Sequence, residues 1–587
     1  MSMAETTTQS IPDLEELQHW TWVLGRAQQM MLEQGFDLIG QMPAAPAFGA
    51  QSFPAMFDPS AAVKATTDFW SDTMKLWQRF LDPSHAEPFE ETPEQARDKR
   101  FKAPQWREEP VFDFLRQSYL VIADHMLRGV DALDGIDPRQ KEQMRFATKG
   151  MIDALSPTNF PATNPEVLEK IVETKGESLL KGLSNMMGDM AKGQMTQTAE
   201  GAYELGRNLA MTPGKVVKRT PLYELIQYAP AEGAKEVYET PLLIFPPWIN
   251  RFYILDLNPE KSFIRWAVEQ GITVFVVSWK SADASMKDVV WDNFVEDGQI
   301  DAIDTVRDLL GVEGVHAIGY CVAGTTLAAT LAVLHARGEA SKVKSATFFT
   351  AQVDFADAGE LSMFVDDDQL AMIRSLGSEG FLDGRYMAAT FNLLRGRDLI
   401  WNYVTNNYLM GKDYAPFDLL HWNSDVTNLP ARWHMSYLTD LYRDNKLVQP
   451  GALTINGTPL DLSTVTTPTY VQAGREDHIA PAQSVWKITH YFKGPLRFVL
   501  AGSGHIAGVV NPPSAQKYQY WTNSEKVETL TEFFAGAKET KGSWWPDWIG
   551  WLDDLDAAKV PVKGARIPGK GKLKSLEDAP GSYVRMR

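Results

Sequence analysis

The stretch HAIGYCVAGTTLAATL (His316–Leu331) decides the predicted fold, and it holds the only cysteine of the chain. A short apolar run enters it and helix-forming residues follow from Val322, so the pattern predicts a buried strand that turns sharply into a helix. Cys321 falls on that turn, between Gly319 and Gly324. A nucleophile on such a turn has a strained backbone and needs small neighbours. The stretch therefore predicts a nucleophile elbow that presents Cys321.

An acid and a histidine further along the chain would support this interpretation, because a free cysteine is otherwise most often a small buried apolar residue. The strand-like run PTYVQAG leads into REDHIAP, which supplies Glu476, Asp477 and His478. The next strand-like run, LRFVLAGSG, leads into His505. The order Cys321, Asp477, His505 is that of an α/β-hydrolase triad, each member following a strand. Spacing alone separates Asp477 from Glu476 only weakly, and His478 is interpreted as a neighbour.

The organisation of the chain changes near Pro221. Before it, residues 1–205 show no convincing strand and are predicted to form a helical domain. After it, short β-rich runs alternate with helical patterns, which indicates a doubly wound, mostly parallel α/β sheet in a catalytic domain, 206–587. The interval of approximately 355–450 is aromatic and helical, so we expect a cap inserted over the carboxyl edge of the sheet, where open α/β sheets bind ligands.

Composition excludes several classes of protein. The hydrophobic fraction of 44% and the charged fraction of 22% are typical of a globular protein. A net charge of −18 argues against broad nucleic-acid binding. No run approaches the ~18 apolar residues that span a bilayer, and the amino terminus lacks the pattern of a signal peptide. One cysteine supports neither a disulfide framework nor a zinc site, so a cytoplasmic protein without a bound metal is predicted.

The C-terminal segment, 559–587, is basic in an otherwise acidic chain. It carries eight lysines and arginines against Glu577 and Asp578. The segment is interpreted as a solvated tail or, alternatively, as a binding surface for an acidic partner.

Longer motifs extend beyond the triad. The stretches LLIFPPWINRFYILDL, GYCVAGT, WNYVTNNYLMGKDYAPFDLLHWNSDVTNLP, GREDHIAP and SGHIAGVVNPP resemble those of the polyhydroxyalkanoate synthases, from about Phe101 to the end of the chain. The length and the GHIAGVVNPP motif are similar to the class I, single-subunit synthases. One position departs from the family box G-x-C-x-G-G: Ala323 stands where the second glycine is usual.

The resemblance implies an (R)-3-hydroxyacyl-coenzyme A substrate, most often 3-hydroxybutyryl-CoA, and a polyester product. Cys321 would carry the acyl group as a thioester, and His505 would act as general base. Asp477 would either orient His505 or help to activate the incoming hydroxyl group. The amide of Val322, at the helix N-terminus, is the expected first oxyanion donor. The amide of Ile249, in the loop PPWIN, is the expected second donor.

Further positions match family residues near the substrate. The resemblance places Asn250 and Arg395 near coenzyme A, and Arg395 could contact its phosphates, although a surface charge on a helix is the alternative. Tyr320 is expected to shape the acyl pocket. Trp422, Asp354 and Asp425 also match family positions, with a structural role as the alternative for each.

The expected partners follow from the same resemblance. No cofactor is expected, because the coenzyme A thioester is itself the substrate. A homodimer, association with polyester granules in the cytoplasm and a phasin partner are expected by analogy. Two alternatives stay open: a cysteine hydrolase or thioesterase of the same fold, and a non-catalytic granule-associated scaffold, for which Ala323 is the only support.

Overall fold

The computed structural model describes residues 59–82 and 89–587. The chain divides into two compact units. The first comprises the described residues up to Ala199 together with Ala389–Ala415, and the second comprises Glu200–Ala388 together with Pro416–Arg587. The predicted boundary, between 205 and 206, lies a few residues beyond this division, and the predicted cap interval of approximately 355–450 is shared between the units. The predicted helical character of residues 1–58 lies outside the described residues.

The described part of the first unit is built from helices. Up to Ala199 its α-helices are α1 (Pro59–Leu81), α2 (Pro93–Ala96), α3 (Gln105–Glu108), α4 (Pro110–Asp131), α5 (Pro138–Ala154), α6 (Pro165–Glu173) and α7 (Glu177–Lys192). Two π-helical segments, Arg397–Trp401 and Val404–Leu409, belong to the same unit. Asn164 caps α6 by accepting the N–H groups of Glu166 and Val167. The helical domain expected from the sequence is confirmed for these residues.

The second unit is built around a large sheet. Its strands are β1 (Gly214–Arg219), β2 (Tyr223–Tyr228), β3 (Glu236–Tyr238), β4 (Leu242–Phe245), β5 (Val274–Trp279), β6 (Val315–Tyr320), β7 (Val343–Phe349), β8 (Phe381–Leu382), β9 (Leu429–Pro430), β10 (Thr454–Ile455), β11 (Thr458–Pro459), β12 (Thr469–Gly474), β13 (Leu496–Ala501), β14 (Gln519–Thr522), β15 (Lys538–Lys541), β16 (Lys559–Pro561) and β17 (Glu577–Asp578). Eleven of them form one sheet in the order β15-β14-β13-β12-β7-β6-β4-β5-β2-β1-β17.

The six central strands, from β13 to β5, are all parallel, and the strands at both edges are antiparallel. Strands β4, β5, β6 and β12 are buried along their whole length, which explains their nearly continuous apolar sequences. Successive residues of β6 face different cores: Ala317 packs in one hydrophobic cluster and Ile318 in the other. The predicted α/β sheet is confirmed.

The second unit also contains twelve α-helices, one of which continues into the first unit from Ala389. They are α8 (Phe263–Glu269), α9 (Trp291–Asn293), α10 (Asp301–Leu310), α11 (Val322–Ala336), α12 (Asp367–Leu376), α13 (Gly384–Leu394), α14 (Asp418–Ser424), α15 (Ala431–Ser436), α16 (Ala482–Trp486), α17 (Ile488–Tyr491), α18 (Leu530–Ala535) and α19 (Trp545–Leu555). Helix α15 continues into a π-helical segment, Tyr437–Arg443. Among the described residues, no helix combines the length and the apolar character needed to cross a bilayer.

Candidate active site

The sharp turn between β6 and α11 carries Cys321. Its backbone has φ 52° and ψ −126°, in a region that side-chain-bearing residues rarely adopt, and its N–H group donates to the carbonyl of Phe349 on β7 (2.9 Å). A Cβ atom on Gly319 would lie 2.5 Å from the Cα of Gly324, and one on Gly324 would lie 2.4 Å from the Cβ of Ala351. The strained turn predicted from the sequence is present, and both flanking glycines are required by close approach.

Ala323, the departure from the family box, sits inside this turn without a clash. Its side chain is fully buried in the hydrophobic cluster beneath α11, and its carbonyl accepts a hydrogen bond from Gln299 Nε2 (2.9 Å). The tight approach of helix and strand falls on Gly319 and Gly324 instead. The additional methyl group therefore fills core space and leaves the geometry of the elbow intact.

Asp477 and His505 follow two neighbouring parallel strands, β12 and β13, whose ends are paired at Gly474 and Ala501. His505 Nδ1 lies 2.7 Å from Asp477 Oδ2. The other carboxylate oxygen of Asp477 accepts the N–H groups of Ile479 (2.8 Å) and Ala480 (2.9 Å), so the whole carboxylate is fixed. Glu476 is exposed, so Asp477 is the acid that the structure pairs with the histidine.

The imidazole of His505 also lies close enough to Cys321 for the charge of the sulfur to act on it. Burial on its own would lower the pKa of His505. The negative charges of Asp477 and Cys321 outweigh that effect and raise the pKa to about 10. An imidazolium is therefore favoured next to the sulfur.

The loop that carries His505 is held by three buried hydrogen-bond donors. The Tyr320 hydroxyl donates to the His505 carbonyl (3.0 Å), Trp544 Nε1 donates to the carbonyl of Gly508 (2.7 Å), and Trp545 Nε1 donates to that of Val509 (2.9 Å). Tyr320 ends β6, and the two tryptophans are adjacent at the start of α19, so the histidine loop is held from two parts of the core. The hydroxyl of Tyr320, which the sequence placed in the acyl pocket, is thus engaged with the histidine loop.

The two expected oxyanion donors lie at one edge of the sheet. Val322 is the first residue of α11, where a backbone N–H has no partner within the helix. Ile249 lies in the loop after β4, and β4 pairs with β6 so that Phe245 is opposite Gly319. Both amides therefore follow adjacent strand ends beside Cys321, as the expectation requires, and their role in the reaction stays a prediction.

The loop after β4 is tied to α14 through the residues expected near the substrate. Asn250 Nδ2 lies 3.4 Å from the carbonyl oxygens of Trp422 and Asn423, and Trp422 Nε1 donates to the carbonyl of Arg251 (2.7 Å). Asn250 and Trp422 are both buried. These contacts give Trp422 a structural function in holding the loop that carries Ile249.

Arg395, the other residue expected near coenzyme A, belongs to the first unit, and its guanidinium is half exposed and paired with Asp398 Oδ2 (2.9 Å). The two aspartates that match family positions have structural partners. Asp354 accepts the Tyr491 hydroxyl (2.6 Å), and Asp425 accepts the Tyr253 hydroxyl (2.9 Å).

Sequence reasoning missed three polar residues around the sulfur. Tyr437 and Tyr442 lie on the π-helical segment after α15, with ring centroids 5.5 Å apart, and both phenols interact electrostatically with Cys321. Gln352 follows β7 and points its amide at the Tyr442 hydroxyl, with Nε2 3.5 Å from the oxygen. Burial is the largest cause of a raised pKa for both tyrosines, and the charge of Cys321 raises the pKa further. Both phenols therefore stay neutral. A Tyr-x₄-Tyr spacing was the only signal in the sequence.

These residues define the class of the protein: an α/β-hydrolase fold whose elbow presents a cysteine to a histidine–aspartate pair, suited to acyl transfer through a covalent thioester. Residues 241–512 match the family described as "alpha/beta hydrolase fold", and residues 97–267 match "Poly-beta-hydroxybutyrate polymerase (PhaC) N-terminus". The chain belongs to the poly(3-hydroxyalkanoate) polymerase family, as its curated relatives show.

Three of these relatives cover most of both chains. The poly(3-hydroxyalkanoate) polymerase subunit PhaC of Rhizobium meliloti is 44% identical over 90% of this chain and 86% of its own. The polymerase of Methylorubrum extorquens is 44% identical over 90% and 88%, respectively. Subunit PhaC of Cupriavidus necator is 42% identical over 88% of this chain and 87% of its own. The resemblance found in the sequence motifs is confirmed.

Proposed function

We propose that this chain polymerises (R)-3-hydroxyacyl-coenzyme A, with 3-hydroxybutyryl-CoA as the favoured substrate, and releases coenzyme A. The observation that carries the proposal is the hydrogen-bonded pair of His505 and Asp477 next to the elbow that presents Cys321. The curated relatives, which are named poly(3-hydroxyalkanoate) polymerases, support the same activity. They do not favour the scaffold or the thioesterase as alternatives.

The first half of the reaction loads the enzyme. The thiolate of Cys321 attacks the thioester carbonyl, the carbon–sulfur bond to coenzyme A breaks, and the leaving thiolate takes the proton held by His505. One thioester replaces another, so the acyl group stays activated on the protein. A serine would form an oxygen ester and leave less driving force for the next transfer. The amides of Val322 and Ile249 would stabilise the oxyanion that forms on the way.

The second half of the reaction extends the chain. The 3-hydroxyl of one acyl group attacks the thioester carbonyl of another, an oxygen ester forms, and a thiolate leaves. His505, now neutral, takes the proton of the hydroxyl group. Asp477, held by two backbone N–H groups and by the imidazole, orients His505 through this cycle. The reaction needs no cofactor, because the thioester supplies the activation.

Water must be kept from the acyl-enzyme, since hydrolysis would end the chain as a free acid. Segments of the predicted cap contribute to this exclusion: Tyr442 and Trp433 are buried next to the elbow, and Trp433 stacks on Tyr437 (5.2 Å between ring centroids).

Arg395 would contact the phosphates of coenzyme A, and Asn250 would lie near its entry. We further propose that the protein works as a homodimer on polyester granules in the cytoplasm, with a phasin as a partner.

The direct test is an assay of purified protein with 3-hydroxybutyryl-CoA, in which coenzyme A release is measured by chromatography and the product is extracted and weighed. Polyester together with released coenzyme A supports the proposal. Coenzyme A with free 3-hydroxybutyrate as the sole product would establish a thioesterase. Cys321→Ala is the matched control and should release no coenzyme A above background.

A further inference from the structure

Gln352 contacts the first turn of the helix that follows the nucleophile, at a position that the mechanism above does not use. It follows β7, and its backbone carbonyl accepts a hydrogen bond from Thr325 Oγ1 (2.7 Å) in the first turn of α11. Phe349, three residues earlier, accepts the N–H of Cys321. The side chain of Gln352 is 4% exposed. The elbow therefore fixes the backbone of Gln352.

Only one of the two polar atoms of the Gln352 side-chain amide has a hydrogen-bond partner among the described residues. Its Nε2 lies 3.5 Å from the Tyr442 hydroxyl, whereas its Oε1 has no hydrogen-bond partner among the described residues. A buried carbonyl oxygen without a donor is uncommon in folded proteins, and such an atom near a reactive group calls for an explanation. A ligand group that donates a hydrogen bond would satisfy it.

The neighbours of Gln352 favour a hydroxyl group as that ligand. The rings of Tyr442 and Tyr437 lie 5.5 Å apart between centroids, and burial raises the pKa of both phenols, so both keep their O–H groups as possible donors. A hydroxyl group donates one hydrogen bond and accepts others, which matches one free acceptor beside phenolic donors.

We propose that Gln352 binds the 3-hydroxyl group of the acyl chain attached to Cys321, with Oε1 accepting the hydroxyl hydrogen and Tyr442 holding the amide in place. The inference rests on the proposed function, since it assigns a contact to the substrate of that reaction. The hydroxyl is two carbon atoms beyond the carbonyl that bonds to sulfur, so the residue that binds it must lie near the elbow, where the backbone of Gln352 is held by Thr325. Gln352 then distinguishes 3-hydroxyacyl groups from unsubstituted acyl groups.

Such selectivity arises because a substrate without the hydroxyl leaves a buried hydrogen-bond acceptor of the protein unpaired. Butyryl-CoA has the same chain length as 3-hydroxybutyryl-CoA and lacks only the hydroxyl, so it leaves Gln352 Oε1 without a donor. Sites built to hydrogen bond a substrate hydroxyl reject analogues that lack it, because their buried polar groups stay unpaired. We expect about a tenfold or larger preference from this contact.

The experiment compares acylation of Cys321 by the two thioesters. The first-turnover release of coenzyme A is measured for 3-hydroxybutyryl-CoA and butyryl-CoA in the wild type, in Gln352→Met and in Gln227→Met. Gln227 is the matched control: it is a buried glutamine on β2, with Nε2 donating to the Ala565 carbonyl (2.8 Å), and β5 and β4 separate its strand from β6. The readout is the ratio of the two acylation rates.

The wild type and Gln227→Met should prefer the hydroxylated substrate by about tenfold or more, and Gln352→Met should reduce that ratio about tenfold. An unchanged ratio in Gln352→Met, or a wild type without preference, overturns the inference. If Gln352→Met does not fold, as judged by circular dichroism, Tyr442→Phe replaces it, because it removes the partner that holds the amide. A ratio in Tyr442→Phe equal to that of the wild type then overturns the inference.

The outcome separates this inference from the proposed function. A wild type that makes polyester without preferring the hydroxylated thioester in acylation overturns the role of Gln352 alone. A wild type that prefers the hydroxylated thioester but releases only free acid overturns polymerisation and leaves the contact of Gln352 supported. Failure of both thioesters to acylate Cys321 overturns both.

Discussion

His505 Nδ1 lies 2.7 Å from Asp477 Oδ2, and the second oxygen of that carboxylate accepts two backbone N–H groups. The aspartate is thus fixed by the protein before any substrate binds. Because the imidazole depends on this carboxylate for its orientation and for much of its raised pKa, the pair acts as one unit.

Replacing the acid of this pair should leave the fold intact and remove most of the activity. Asp477→Asn should lower kcat for coenzyme A release by about 10²–10⁴-fold, because the amide neither holds the imidazole in the same tautomer nor stabilises its charge. Glu476→Gln, on the exposed neighbour, is the control and should stay within about twofold of the wild type. Equal losses in both variants would show that the loop as a whole, and not Asp477, is responsible.

The single cysteine makes the reactivity of the elbow directly measurable. Cys321 is the only thiol that iodoacetamide can alkylate, and the adjacent His505 is the proposed base for its proton. His505→Gln should slow alkylation at pH 7 by about tenfold or more, as followed by intact-mass spectrometry. Alkylation of the variant at the wild-type rate would mean that His505 does not activate the thiol.

Replacing a glycine of the elbow should destabilise the protein more than replacing the neighbouring Ala323. Gly324→Ala places a Cβ atom 2.4 Å from that of Ala351 and 2.7 Å from the Gly319 carbonyl oxygen, so the helix must shift. We expect a loss of about 1–3 kcal/mol in the free energy of unfolding, measured by urea titration, together with lower activity.

Ala323→Gly is the matched variant at the same turn. It restores the family residue and should cost about 1 kcal/mol in the free energy of unfolding through helix propensity, while activity stays within about twofold. A Gly324→Ala protein as stable as the wild type would contradict the close packing described for the elbow.

Stability should fall in mild acid because of a buried histidine in α15. His434 is 3% exposed, its Nδ1 has no partner among the described residues, and burial lowers its pKa to about 4. Below pH ~6.5 the unfolded chain binds a proton that the folded protein does not, so the free energy of unfolding decreases as the pH falls from ~6.5 towards ~4.

The contribution of this one histidine at pH 5 is about 2 kcal/mol. His434→Gln removes it, so the difference between wild type and variant in urea titrations should change by about that amount between pH 7 and pH 5. A difference that does not depend on pH would show that His434 is protonated in the folded protein.

The sequence was most informative where local pattern and catalytic chemistry agree. The apolar run before Cys321, the glycines around it and the strand ends before Asp477 and His505 each have a local signature, and the topology of parallel strands then brings their ends together. The antiparallel edges of the sheet were not foreseen, because β17 has only two residues and β1, although six residues long, is only partly buried.

The missed residues lacked such signatures. Tyr437 and Tyr442 meet because the helix widens to π geometry, which places residues five apart on one face. Gln352 depends on a turn in which Thr350 has φ 41°, an uncommon conformation that composition does not reveal. Residues Ala389–Ala415 belong to the first unit because of their tertiary contacts, which a local sequence pattern does not reveal.

The three triad residues follow three separate strands, β6, β12 and β13, and this spacing sets the order of events during synthesis on the ribosome. Cys321 leaves the exit tunnel long before β13 is made, and until that strand pairs with β12 the thiol has neither base nor acid beside it. A nascent chain therefore holds an ordinary, unactivated cysteine. Cys321 is therefore acylated efficiently only after most of the polypeptide has been translated and β13 has paired with β12.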